Sequence, residues 1–189
     1  MTETNIPTAP KQARAIATRK KLLKACISSL IEKGYAGTTT TTVAKRAGVS
    51  QGALYKHFGS KQQLLAETTE VLFGELIADF RKAFKAGAKD ENQIARALNE
   101  LWRVFLAPGL YAVLELYIVA RTDTTLREAL TPVLLRHRAN LLEEAGALFP
   151  EAAANNPQFE TGVEAIMSAI TPESSEHTNG FTLILGDIK

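Results

Sequence analysis

The chain has 189 residues, 46% hydrophobic and 22% charged, enough to bury the core of one compact unit or of two tightly joined helical domains. Its net charge of +2 hides a division: residues 1–61 hold 11 Lys and Arg against 2 Asp and Glu, a net +9, and residues 62–189 hold 11 against 18, a net −7. A basic module on an acidic body suits a phosphate-binding head on a partner domain that does not bind, while the single cysteine, Cys26, excludes an internal disulfide.

The first ten residues, MTETNIPTAP, read as a disordered arm without the basic and apolar regions of a signal peptide. From Lys11 to Lys33 the apolar residues Ile16, Leu23, Ile27 and Leu30 keep helical spacing, and Gly34 with Tyr35 closes the helix. Cys26 lies on this apolar face, where it serves as a small buried hydrophobe. Arg14, Arg19, Lys20, Lys21 and Lys24 make the first half of the helix basic, either as a solvated face or as contacts to nucleic-acid phosphates, with Arg19 and Lys20 placed for phosphate.

The next stretch, Thr38 to Lys61, spells two short helices joined by a four-residue turn, a helix-turn-helix over about residues 39–58. Thr39 is the expected N-cap of the first helix, Gly48 its left-handed terminator, and Val49 folds back onto it; Ser50 caps the second, Gln51 to His57. Helices this short depend on packing, for which Val43, Ala44, Ala47, Val49, Leu54 and Phe58 supply the apolar face. The other face is polar: Gln51 and Lys56 are placed to reach base edges and Tyr55 and His57 to reach phosphate or sugar, while Gly52 and Ala53 keep the helix start slim. Ser60 and Gln63 form an S-x-x-Q capping signal for a third helix, with Lys61 beside its anion-attracting start.

The segment GYAGTTTTTVAKRAGVSQGALYKHFGSKQQLL, with AGVS, LYKHF and SKxxLL in that order and spacing, resembles the DNA-binding domain of the TetR family of bacterial transcriptional regulators. The resemblance covers about the first third of the chain, roughly Ile16 to Val71. It departs from the family at Thr38 to Thr42, where an apolar residue near 40 and a charged one near 42 are usual. The run reads first as drift that leaves the first short helix less firmly anchored, and second as extra phosphate contacts that bring Thr39 and Thr40 into the DNA-binding set with Ser50, Gln51, Gly52, Ala53, Tyr55, Lys56, His57 and Lys61.

Downstream, Leu64, Leu65, Val71, Leu72, Leu76 and Phe80 stay in helical phase from Lys61 to Ala86, about seven turns, which the resemblance makes the connecting helix. A helix opened by Asp90 and Gln93 runs to Phe105, and Ala107-Pro108-Gly109 breaks it. The almost wholly apolar segment Leu110 to Arg121 is expected inside the body, and Glu115 interrupts it as a membrane span. Thr124 to Leu148 forms an amphipathic helix that Pro132 kinks or restarts, and Asn156-Pro157 opens a last helix carrying Phe159, Val163, Ile166, Met167 and Ile170.

The chain is therefore expected to be all-α: a three-helix helix-turn-helix domain over 11–60, a connecting helix over 61–86, a helical effector-binding and dimerisation domain over 87–171 and an atypical tail over 172–189. Catalytic and metal-binding signatures are missing, so no enzyme activity, cofactor or metal is expected. Trp102, Phe105, Tyr111 and Tyr117 are candidate walls of a ligand cavity, and Glu115, Arg121 and His137 candidate polar contacts within it. The resemblance implies a cytoplasmic homodimeric repressor, at the nucleoid when bound to double-stranded DNA, that leaves a palindromic operator when a small-molecule effector binds. Two other readings stay open: a DNA-binding protein without an effector, and a helical ligand carrier or enzyme with an incidental basic head. The apolar face of the last helix has no partner long enough within the chain, so dimerisation through the C-terminal helices is expected to be weak.

Overall fold

The computed structural model describes residues 9–86, 99–100, 102–104 and 106–170, and every regular element among them is an α-helix. Most of the helix expected from Asp90 to Phe105, and the tail after residue 170, lie outside the described residues. The chain falls into two compact units, with the division between Glu115 and Leu116.

In the first unit, α1 (Ala9–Gly37) turns sharply at Gly34, whose φ of 65° and ψ of −174° belong to a region open in practice to glycine alone. The helix proper ends where the sequence places its end. Leu22, Leu23, Cys26 and Leu30 of α1 are buried, whereas Ile16 is 63% exposed and takes no part in the core. Burial raises the Cys26 thiol to about 11, against a lowering hydrogen bond to Thr68, so this cysteine is a small apolar filler and not a nucleophile.

α2 (Thr40–Ala47) and α3 (Gln51–His57) pack against α1 and each other, and α4 (Lys61–Ala86) packs along α1. The turn between α2 and α3 closes as expected: Gly48 is left-handed (φ 68°, ψ 34°), its N–H reaches Lys45 O, and Val49 N–H reaches Ala44 O at 3.0 Å. Ser50 Oγ accepts from Ala53 N–H at 3.1 Å and caps α3. At the start of α4, Ser60 Oγ accepts from Gln63 N–H at 3.0 Å, but the Gln63 side chain reaches back to Gly59 N–H, one residue earlier than a capping box would place it. Within α4, Thr68 and Thr69 are fully buried because each hydroxyl bonds its own helix four residues back, to the carbonyls of Leu64 and Leu65.

α5 (Pro108–Ala120) begins with the proline that the sequence suggests as a breaker; at the first helical position its missing N–H costs nothing. α6 (Thr124–Leu148) is capped by Asp123 and runs through Pro132 as one helix, so of the two outcomes expected there, a kink or a restart, the restart does not occur. Pro132 and Glu128, whose carbonyl loses its helical donor there, are both exposed. A short α7 (Pro150–Asn155) was not expected, and after it Asn156 Oδ1 accepts from Gln158 N–H before α8 (Phe159–Ile170) starts. α6, α7 and α8 pack on one another, with Arg138 of α6 paired to Glu164 of α8 at 2.8 Å.

Candidate nucleic-acid interface

The five threonines before and within α2 are each engaged differently, which overturns the expectation of a weakly anchored helix. Thr38 is buried, its hydroxyl 2.7 Å from Gly34 O and 3.1 Å from Ser29 Oγ. Thr39 and Thr42 form a reciprocal capping box: Thr39 Oγ1 accepts from Thr42 N–H at 3.1 Å and Thr42 Oγ1 from Thr39 N–H at 2.8 Å. Thr40, also buried, turns its hydroxyl to Tyr55 Oη at 3.3 Å and to Gln51 Nε2 at 3.2 Å, and exposed Thr41 accepts from the same Nε2 at 3.2 Å. Thr40 therefore faces the side chains of α3 from beneath, and Thr41, which the sequence did not single out, stands beside Gln51.

Leu54, fully buried, fixes α3 on its support, while Gln51, Gly52, Tyr55 and Lys56 form the exposed side. Ala53 and His57 are half-buried at its margins. A Cβ at Gly52 would meet nothing within 4 Å, so packing does not demand glycine there, and the first turn of α3 stays open to whatever approaches it.

The basic residues divide into exposed and engaged sets. Lys20, Lys21, Lys24, Lys45 and Lys56 are exposed. Arg19 pairs with Glu67 and lies over the Phe58 ring at 5.3 Å, so its guanidinium is already used within the head. Arg46 binds Glu32 through both guanidinium nitrogens; that hydrogen bond lowers the Glu32 carboxyl and raises the arginine. Lys61 is drawn toward Tyr35, its ammonium 3.9 Å from the ring centre and 3.5 Å from the Tyr35 carbonyl.

A basic helix-turn-helix with a polar, uncrowded second helix is thus in place. The pattern of the bacterial regulatory proteins of the tetR family matches residues 22–68, from the buried half of α1 to the start of α4. An uncharacterized HTH-type transcriptional regulator of Mycobacterium tuberculosis is 37% identical over 147 residues, 75% of each chain. The chain belongs to the TetR family. BetI of Rhizobium meliloti, also an HTH-type transcriptional regulator, is 32% identical over 143 residues, 75% of this chain and 70% of that one. The fold agrees: a crystal structure described as a TetR-family regulator from Mesorhizobium loti aligns with a TM-score of 0.66 over 82% of this chain and 80% of that one, at 17% identity. The family and its relatives make the chain a DNA-binding transcriptional regulator and not an enzyme.

In this TetR-family chain the residues considered for a ligand cavity fall in different settings. Trp102 and Tyr111 are 64% and 55% exposed, and Phe105 is outside the described residues. Glu115 accepts a hydrogen bond from Tyr35 N–H. In the second unit Arg121 is exposed, and Tyr117 is buried, its hydroxyl without a hydrogen-bond partner among the described residues and its ionisation pushed upward by burial. Burial also pushes His137 down, to about 4. The unfolded chain, with an ordinary histidine near 6.5, takes up its proton first, so His137 costs the fold nothing above that pH and draws stability down as pH falls from about 6.5 toward 4. Urea midpoints at pH 7, 5.5 and 4.5 should decline less in His137→Leu than in the parent; parallel declines would mean the imidazole does not contribute. Among the described residues no helix is long and apolar enough to cross a membrane, and no three His, Cys, Asp or Glu side chains are grouped to hold a metal.

Proposed function

We propose that the chain is a repressor that binds a palindromic operator as a homodimer, each protomer setting α3 into the major groove of one half-site, and that a small molecule held by the helical body releases it. The observation that carries the DNA-reading part is the tether on Gln51. Two threonine hydroxyls accept from its Nε2, so the amide is held before DNA arrives and its oxygen is left to accept from a base. In the major groove the donors are adenine N6 and cytosine N4, so Gln51 is expected to prefer one of these. Lys56 is the second base-reading candidate. Tyr55, His57, Ser50 and Thr39 are assigned to the backbone, with Gly52 and Ala53 allowing close approach; Thr40 acts by holding Gln51 and Tyr55, and Lys61 adds positive charge beside the start of α4.

For the effector, the buried Tyr117 hydroxyl is a polar group that a ligand would satisfy, and His137, kept neutral by burial at physiological pH, is a second candidate contact. Dimerisation is assigned to the C-terminal helices α6 and α8, whose Phe159 and Val163 are half-buried within one chain.

Gln51→Ala tests the reading. Competition among operators changed one base pair at a time should show about 1–3 kcal/mol of discrimination lost at a single position of each half-site. Equal weakening on every duplex would place Gln51 on the backbone and leave base reading to Lys56.

A further inference from the structure

The sharp turn at Gly34 brings Tyr35 N–H to a carboxylate eighty residues away in sequence: Glu115 Oε1 of α5 accepts from it at 2.9 Å. The fit is close, since a Cβ on Gly34 would lie 2.7 Å from Glu115 Oε1 and 2.9 Å from Oε2. The same short segment is held from other sides. Lys61, the first residue of α4, reaches the Tyr35 carbonyl and ring; Thr38 N–H donates to Tyr35 O at 3.2 Å; and the Thr38 hydroxyl takes the Gly34 carbonyl. One residue later Thr39 caps α2, and next to it Thr40 supports Gln51 and Tyr55. Three residues thus separate the one that Glu115 grips from the cap that aims α2 and α3.

We infer that Glu115 is a positioning residue for DNA binding: by holding Tyr35 N–H it sets where α2 begins, and through Thr39 and Thr40 it sets the pose of the recognition side chains. It touches no DNA itself. A carboxylate at this place in an otherwise apolar helix has a use that its sequence context hides. The inference rests on the assignment of α3 to base reading only where operator preference is the readout; the backbone measurement below does not depend on it.

The test compares Glu115→Gln, whose amide oxygen still accepts from Tyr35 N–H, with Glu115→Ala, which has no acceptor. Native-state amide exchange should accelerate about tenfold at Tyr35 in Glu115→Ala, the loss of one backbone-to-carboxylate bond, and the acceleration should continue through Thr39 to Val43. Glu115→Gln should stay near the parent. Acceleration confined to Tyr35, or equal in both variants, overturns the inference. In parallel, the ratio of operator to random-duplex affinity should fall about tenfold in Glu115→Ala and recover in Glu115→Gln, with the salt slope unchanged because no phosphate contact is lost. An unchanged ratio in a folded Glu115→Ala protein also overturns it. Should the parent show no operator preference, the base-reading assignment fails, and the exchange data decide Glu115 on their own.

Discussion

Gly34→Ala should be the most damaging small substitution in the head. The position demands a backbone conformation costing a residue with a Cβ about 1–3 kcal/mol. The new methyl would also lie 2.7 Å from Glu115 Oε1, so the carboxylate would have to swing away and release Tyr35 N–H, a further ~1 kcal/mol. The two costs share one partner and should not add across variants. Chemical unfolding of Gly34→Ala, Glu115→Ala and the double variant should show the glycine substitution milder when Glu115 is already gone. Full additivity would mean that the carboxylate is not what confines Gly34.

Phe58→Ala should be comparably severe for a different reason. Phe58 is completely buried at the C-terminal end of α3, with its N–H closing that helix onto Leu54 O at 2.9 Å and Arg19 over its ring. Removing such a ring leaves a cavity under a seven-residue helix too short to stand without packing, at a cost of about 3–5 kcal/mol. The expected result is loss of DNA binding together with a large fall in the denaturant midpoint, while Phe58→Leu retains much of both. A folded Phe58→Ala protein with an unshifted midpoint would show that α3 is held elsewhere.

The helix-turn-helix was legible in the sequence because its signals are local. Gly48, Val49, Ser50 and the Ser60–Gln63 pair each act within five residues of chain, and the residue types nearly dictate the geometry. The threonine run was not legible. Five identical side chains carry no pattern, and what separates buried Thr38 and Thr40 from exposed Thr41 is which part of α1 or α3 each one meets. The pairs Glu115–Tyr35 and Arg19–Glu67 lie 80 and 48 residues apart, beyond any periodicity argument, so Glu115 read as a ligand contact and Arg19 as a phosphate contact. Pro132 left two outcomes open because proline removes one helical hydrogen bond and crowds the preceding turn, which can bend a helix without ending it, and α6 continues through it. α7 did leave a signal, proline at the first position with Glu151 in the first turn, but its six residues are too few to show a period.

The most direct test of the whole account is selection of bound sequences from random duplex DNA with the full chain at physiological salt. A homodimer presenting two copies of α3 should enrich an inverted repeat whose half-site centres lie about 10–10.5 base pairs apart or a multiple of that. Each half-site should contain an adenine or cytosine whose enrichment disappears with Gln51→Ala. Binding that enriches no sequence, or a single unrepeated motif indifferent to Gln51, would contradict it.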